Sequence, residues 1–325
     1  MIKAIDVSIL VPTYRRPDLL ARCLESIITS IPDSQDRFEV VVGDDSVDAE
    51  INKSVLAAFS SHWRGSYTYL LHSPNLGQQR NFNELLRQAN GRLIQFLHDD
   101  DYFLEGAGQA FLAVANRPNA TEIPVKFGVW LVTQEGRHTR TESPLKERRL
   151  SPREGVRRMI SESSYVRFPS MFVPRSIYEA MGFFDLSRGY IADLALWLKI
   201  TKAYGLLELP ACTTAYTIHE AAGTSSMFTP SFIVHIYSLL DEYADFVTDN
   251  KGEASRLLGK FMWRFVLAGQ FRALRAKNWS ALQERVDLAN CPEMQQLPCP
   301  PRWLGLKAGF RLTQRLFAPV GKMAS

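Results

Sequence analysis

The chain has 325 residues, 46% of them hydrophobic and 22% charged, which excludes a disordered, collagenous or disulfide-framework protein and leaves room for about two domains. No uncharged apolar run reaches about 18 residues and no cleavage site follows the first strand pattern, so neither a spanning helix nor a signal peptide is expected. The net charge of +4 is uneven: from Lys251 onward there are 13 Lys and Arg against 4 Asp and Glu, while the first 250 residues hold 25 against 30. An acidic body with a basic tail argues against a nucleic-acid enzyme and points the tail toward an anionic surface.

In chain order, Val7 to Val11 is a short apolar strand that stops at Pro12. Pro17 and Asp18 open a helix with Leu19, Leu20, Cys23, Leu24, Ile27 and Ile28 on one stripe. Phe38 to Val42 is a second strand ending at Gly43-Asp44-Asp45, and Tyr67 to His72 a third. Asn75-Leu76-Gly77 turns into a helix reaching about Asn90, with Gly91 as its cap. Leu93 to Leu97 is a fourth strand, running straight into His98-Asp99-Asp100-Asp101. Near-continuous apolar strands separated by helices predict a parallel sheet covered on both faces. Further on, Lys126 to Gln134 and Tyr165 to Val173 read as strands, and Arg137 to Arg149 as a polar, mobile loop. Ile191 to Tyr204 reads as a helix and Thr213 to Ile218 as the last strand, before His219. Beyond Pro230 the pattern is helical, with a hairpin over Phe261 to Leu288 broken near Lys277-Asn278 and a last helix over Arg302 to Phe317. Cys23, Cys212, Cys291 and Cys299 form no CxxC pair and read as free thiols of a reducing compartment.

The polar residues cluster where strands end. Ligands of open parallel sheets bind beyond the carboxyl ends of the strands, so Asp44-Asp45 and Asp99 to Asp101 are expected on one edge. Three adjacent carboxylates either bind a hard cation such as Mg²⁺ or Mn²⁺ or form a solvated acidic turn. Asp45 is either an Asx turn or an acceptor for a base or ribose donor. The helix opened by Gly77 to Asn81 either is simply capped or faces a diphosphate. Asp193, in Ile191-Ala192-Asp193-Leu194, is either a first-turn dipole partner or a general base. His219 is either a packed or surface residue or a ligand.

Taken in order, VSILVPTYRRPDLL, FEVVVGDDS, PNLGQQRNFNELL, FLHDDDYF, MGFFDLSRGYIADLALWLKI and YTIH resemble the family-two glycosyltransferases, over about Val7 to His219. The resemblance implies an α/β fold of GT-A type, a Rossmann-like mixed sheet flanked by helices, with a C-terminal helical extension. Its implied boundaries are a catalytic domain over 1–225, divided into a nucleotide-binding half (1–101) and an acceptor half (102–225), and a helical region over 226–325. It implies an inverting transfer of sugar from a nucleotide-diphosphate donor, of uridine by family preference, to a hydroxyl of a saccharide or lipid-linked glycan. By position, Pro12 and Tyr14 border the base, Asp45 binds it, and Arg16, Arg80 and Asp99 complete the nucleotide site, Asp99 on the ribose. Asp100, with Asp101, holds Mg²⁺ or Mn²⁺, His219 lies near the metal or diphosphate, and Asp193 is the catalytic base. Two positions depart from the family pattern: His98 stands where an Asp is frequent, and Ala192 where a Glu is. They support the alternative of a non-catalytic nucleotide-sugar-binding or scaffold protein. A magnesium-dependent phosphohydrolase leaves Asp45 and Asp193 without a role. In the tail, Trp303, Leu306, Phe310 and Phe317 share a helical face edged by Lys307, Arg311 and Arg315. Such a helix either docks on the protein or lies on an anionic membrane; the expected location is cytoplasmic, and peripheral to the membrane in the second case.

Overall fold

The structure is a computed structural model, and it describes residues 4–218 and 227–317, with side chains through Phe310. His219 lies outside the described residues. The chain forms two compact units, one of residues 1–155 and 166–219, the other of 156–165 and 220–325.

The first unit begins with β1 (Val7–Thr13), α1 (Pro17–Ser30), β2 (Phe38–Asp44), α2 (Lys53–His62), β3 (Ser66–Leu71), α3 (Gln78–Gln88) and β4 (Leu93–Phe96). After β5 (Tyr102–Phe103) and α4 (Ala107–Ala115) come β6 (Val125–Thr133), β7 (His138–Glu142), β8 (Arg148–Leu150) and α5 (Pro152–Met159), whose residues from Val156 onward count with the second unit. It ends with β9 (Met171–Pro174), α6 (Arg175–Met181), α7 (Ala192–Tyr204) and β10 (Leu206–Ile218). One sheet runs β3-β2-β1-β4-β9-β6-β10-β5, with β7 beside β6 and β8 beside β10. The first four strands are parallel, as their apolar runs predict. β9 enters antiparallel to both β4 and β6 and so makes the sheet mixed. The register pairs Leu10 with both Val41 and Phe96, so Asp44-Asp45 and His98 to Asp101 emerge at the same edge.

Both faces are filled. On one, Cys23, Leu24 and Ile27 of α1 pack with Val7, Ile9 and Val11 of β1, and Phe103 and Phe111 join them. On the other, Phe82 of α3, Phe96 of β4, Phe168, Phe184 and Trp197 of α7 form one aromatic cluster. Its ring centroids are 5.1–6.0 Å apart, a range in which edge-to-face pairs contribute about 0.5–1.5 kcal/mol each beyond area burial. Two glycines are set by close approach: a Cβ on Gly43 would stand 2.2 Å from Asn81 Oδ1, and one on Gly91 would stand 2.5 Å from Ser8 N. Gly91 therefore spaces the chain against β1 and does not cap α3, which ends at Gln88.

Three readings of the middle need correction. The Arg137 to Arg149 segment holds the edge strands β7 and β8, whose exposed polar residues give no apolar alternation to read. Only Met171–Pro174 of the stretch from Tyr165 is strand, because Phe168–Ser170 form a 3-10 turn around Pro169. β10 begins at Leu206, earlier than expected, and shifts register between Glu208 and Thr214, where Pro210 interrupts it.

The second unit is helical: α8 (Pro230–Val247), α9 (Lys251–Arg275), α10 (Trp279–Leu288), α11 (Pro292–Gln295) and α12 (Leu304–Phe317). The hairpin break falls at Ala276 to Asn278, as read. Trp263 is fully buried and its indole donates to Leu297 O at 3.1 Å. Among the described residues no helix is long and apolar enough to cross a membrane. All four cysteines are free.

Candidate active site

β1 ends in a sharp turn with Arg15 at φ 52°, and the loop after β2 carries Val47 at φ 71°. A β-branched residue in that region is strained, and such strain concentrates where a fold presents functional groups. The two loops are tied by Arg15 N donating to Ser46 Oγ at 2.8 Å and Asp45 N donating to Thr13 O at 3.0 Å. Pro12 is buried in β1, and Tyr14 is exposed at the rim beneath the Arg15 guanidinium.

Asp45 keeps to the protein. Its Oδ1 accepts from Leu76 N at 2.6 Å and its Oδ2 from Gly77 N at 2.8 Å. A carboxylate of the chain itself thus stands at the helix N-terminus expected to face a diphosphate. Asp44 is likewise spent, on Ser46 N, Asn52 Nδ2 and the Tyr69 hydroxyl. Arg80 is exposed in the first turn of α3.

The acidic turn is different. Thr13 Oγ1 donates to Asp99 Oδ2 at 2.8 Å, and Arg16 Nη1 lies 3.5 Å from Asp99 and 3.3 Å from Asp100. Burial first, and then the charge of Asp100, push Asp99 up to about 6 despite Arg16 and Thr13. Asp101 is 1% exposed; burial, with the charges of Asp100 and Asp99, raises it well above the carboxylate range against the opposing Thr217 N–H. Its Oδ1 accepts that N–H at 2.8 Å, and its Oδ2 is buried with no partner among the described residues.

His98 joins this turn. Its ring packs 5.3 Å from Phe82 and 4.4 Å from Phe168, burial lowers its pKa, and its Nε2 is buried without a partner among the described residues. Ligand atoms of His98, Asp100 and Asp101 lie within 4.8 Å of one another. A neutral imidazole, two carboxylates and two orphaned buried atoms suit a divalent cation. Sequence reading took His98 only as a lost acid; its signal was its place directly at the end of the apolar strand.

Other residues frame the turn with little sequence signal. Arg22 of α1 donates to Asp100 O at 2.5 Å, Thr217 Oγ1 at 3.3 Å and Gln134 O at 3.4 Å, and covers the Tyr102 ring. Arg167 makes a two-pronged pair with Glu142 and lies over the Tyr216 ring.

Asp193 sits half-buried in the first turn of α7, oriented by Leu194 N, which donates to its Oδ1 at 2.7 Å. Burial pushes its carboxyl up to about 6. Tyr216, raised to about 12 chiefly by burial, also feels the charges of Asp101, Asp100 and Asp193, so these carboxylates border one region. α7 is held there by Trp197, 5.8 Å from the Phe168 that packs on His98, while Asn83 exchanges two hydrogen bonds of 2.9 Å with the backbone of Phe184.

The family model described as glycosyl transferase family 2 matches residues 8–181. A GalNAc(5)-diNAcBac-PP-undecaprenol beta-1,3-glucosyltransferase of Campylobacter jejuni is 32% identical over 130 residues, 40% of each chain. An uncharacterised protein of Mycobacterium tuberculosis is 38% identical over 103 residues, 32% of this chain and 30% of that one. The matched stretch thus spans well under half the length of these relatives. Among solved structures, Staphylococcus aureus TarS 1–349 in complex with UDP-GlcNAc is similar with a TM-score of 0.64 at 17% identity, over 95% of this chain and 88% of that one. The mannosyltransferase PcManGT of Pyrobaculum calidifontis, in complex with GDP-Man and Mn²⁺, gives 0.55 at 18% identity, over 96% and 81%. At such identities the likeness shows the GT-A fold alone.

Proposed function

The chain belongs to glycosyl transferase family 2, and from that premise we propose that it moves a sugar from a nucleoside-diphosphate donor, a uridine one by preference, to a hydroxyl of a saccharide or lipid-linked glycan, with inversion. The observation that carries this reading is two unlike acidic groups bordering one region: His98, Asp100 and Asp101, whose ligand atoms lie within 4.8 Å of one another, and a single raised carboxyl at Asp193, with Asp100, Asp101 and Asp193 all acting on Tyr216. A relative acting on an undecaprenol-linked glycan supports the lipid-linked acceptor, and fold neighbours bound to UDP-GlcNAc and to GDP-Man with Mn²⁺ support the donor and the ion.

The chemistry follows from charge. Leaving of the nucleoside diphosphate builds negative charge on oxygen. Mg²⁺ or Mn²⁺ held by Asp100, Asp101 and His98 would neutralise that charge as a Lewis acid. Arg16 and Arg80 add cations from the ends of β1 and α3, and Thr13 orients Asp99 toward a ribose hydroxyl. An acceptor hydroxyl is a weak nucleophile, so Asp193 takes its proton during attack. A carboxyl near 6 is ionised at neutral pH yet more basic than an ordinary Asp. One base on the face opposite the leaving group gives inversion without a covalent intermediate.

The test is calorimetric titration of UDP with and without Mn²⁺ into wild type and Asp100→Asn. The variant is expected to keep its fold and lose the Mn²⁺-dependent gain in affinity. An unchanged gain overturns the metal assignment. Metal-dependent donor binding without hydrolysis or transfer of any donor sugar would instead favour the non-catalytic binder.

A further inference from the structure

In the helical unit, the tip of the α9–α10 hairpin combines positive charge with exposed aromatic rings. Between Glu253 and Glu284 lie thirty residues with six Lys and Arg and no acid. The inward side of α9 is fully used: Leu258, Phe261, Met262, Trp263 and Val266 are buried. The tip itself is compact. Lys277 takes φ 53°, its N–H donates to Leu274 O at 3.0 Å, Asn278 N donates to Ala273 O at 2.9 Å, and Asn278 caps α10 through Ala281 N. Yet Phe271 is 50% and Trp279 42% exposed, and Arg272, Arg275 and Lys277 beside them are exposed as well.

We infer that this hairpin tip is a docking surface for an anionic lipid bilayer. Two large exposed rings that alternate along the chain with exposed cations, with no acid for thirty residues, are complementary to a negatively charged interface into which aromatic rings insert at headgroup depth. The C-terminal helix, which the sequence nominated for this task, is partly committed elsewhere. Phe310 of α12 is 6% exposed, and Lys307 lies 4.1 Å over the Trp263 ring. The lipid-linked acceptor reading gives this surface its purpose, but vesicle binding is measured without any transfer.

The test is co-sedimentation of the full chain with phosphatidylglycerol-containing and pure phosphatidylcholine vesicles. Wild type is expected to bind only the anionic vesicles, and less in high salt as charges are screened. Arg275→Gln with Lys277→Gln should weaken binding roughly 25-fold, about fivefold per cation. Phe271→Ser with Trp279→Ser should weaken it at low and high salt alike. All four positions are exposed, so circular dichroism and melting should be unchanged, and a soluble acceptor analogue should still be glycosylated. Wild-type vesicle binding by both double variants, or none by the wild type, overturns the proposal. So does a monomer–oligomer shift abolished by the aromatic variant alone, which would assign the patch to a second copy, or retention of nucleic acid in place of vesicles. Normal vesicle binding without transfer to any acceptor would sink the functional reading and leave this one standing.

Discussion

The two ends of the same sheet treat buried carboxylates in opposite ways. At the amino ends of the strands, Asp6 is clasped by Arg37 and Arg92, and Glu39 accepts from the Ser8 hydroxyl, Asn90 N, Gly91 N and Asn90 Nδ2. Burial alone would raise Asp6, but Arg92 and Arg37 outweigh it and hold the carboxyl below its usual value. At the carboxyl ends, Asp99, Asp101 and Asp193 all lie above the usual value, because burial exceeds what their donors return. Satisfied acids fasten the fold, whereas under-satisfied ones mark where something else is to bind or react.

The sharpest way to break this contrast is at Asp193. Asp193→Asn keeps shape and the Leu194 N–H contact but removes the base. It should retain donor affinity and lose about two to four orders of magnitude in transfer rate. Near-wild-type transfer would make Asp193 a first-turn residue and no more.

Next in size is the pH dependence of stability, where the two ends should oppose each other. The folded state holds the Asp193 proton more tightly than the unfolded chain does, so this group destabilises the fold when ionised. Its contribution improves as pH falls through about 6 and levels off near 3.8. Asp6 is depressed, so its contribution is full above 3.8 and is lost as pH falls through its lower folded value. Melting temperature is therefore expected to rise from pH 7.5 to about 5 and to fall in stronger acid. Asp193→Asn should make the first limb shallower, Asp99 and Asp101, which are raised as well, supplying the rest of it. Asp6→Asn should cost about 1–3 kcal/mol at neutral pH by weakening charged hydrogen bonds, and should leave Mn²⁺ affinity unchanged. Melting curves of the three proteins across pH decide this, and a parallel fall in all three would erase the distinction.

How much of this was readable in the sequence follows the same division. The apolar strands, the acidic turn and the helix of Asp193 announce themselves through periodicity and through runs of like residues. Polar edge strands such as β7 do not, because neither face is buried enough to alternate. Nor do residues that act through distant partners. Arg22 meets Asp100, Gln134 and Thr217 only after the sheet has formed, across 78, 112 and 195 positions of chain. His98 was visible, but its closeness to the orphaned Oδ2 of Asp101 exists only once the fold has formed.

Asp45 is where the contrast can be sharpened with the smallest expected effect. It stands at the site end, yet it is satisfied like the acids of the other end, with both oxygens given to Leu76 N and Gly77 N. Family resemblance assigns it to the nucleotide base, while the geometry makes it the clasp that fixes the loop opening α3. The two roles separate by base dependence. Asp45→Asn replaces one acceptor oxygen by a donor, so one of the two backbone N–H groups loses its partner and the loop loosens. If positioning dominates, UDP and GDP should both bind about tenfold more weakly, the loss of roughly one hydrogen bond to a charged group. If Asp45 reads the base, UDP affinity should fall while GDP affinity holds, and the carboxylate would then serve two partners through its remaining lone pairs. Competition binding of the two nucleotides to the wild type and this variant makes the choice, and equal weakening would place Asp45 with Asp6 and Glu39 among the acids that hold the fold.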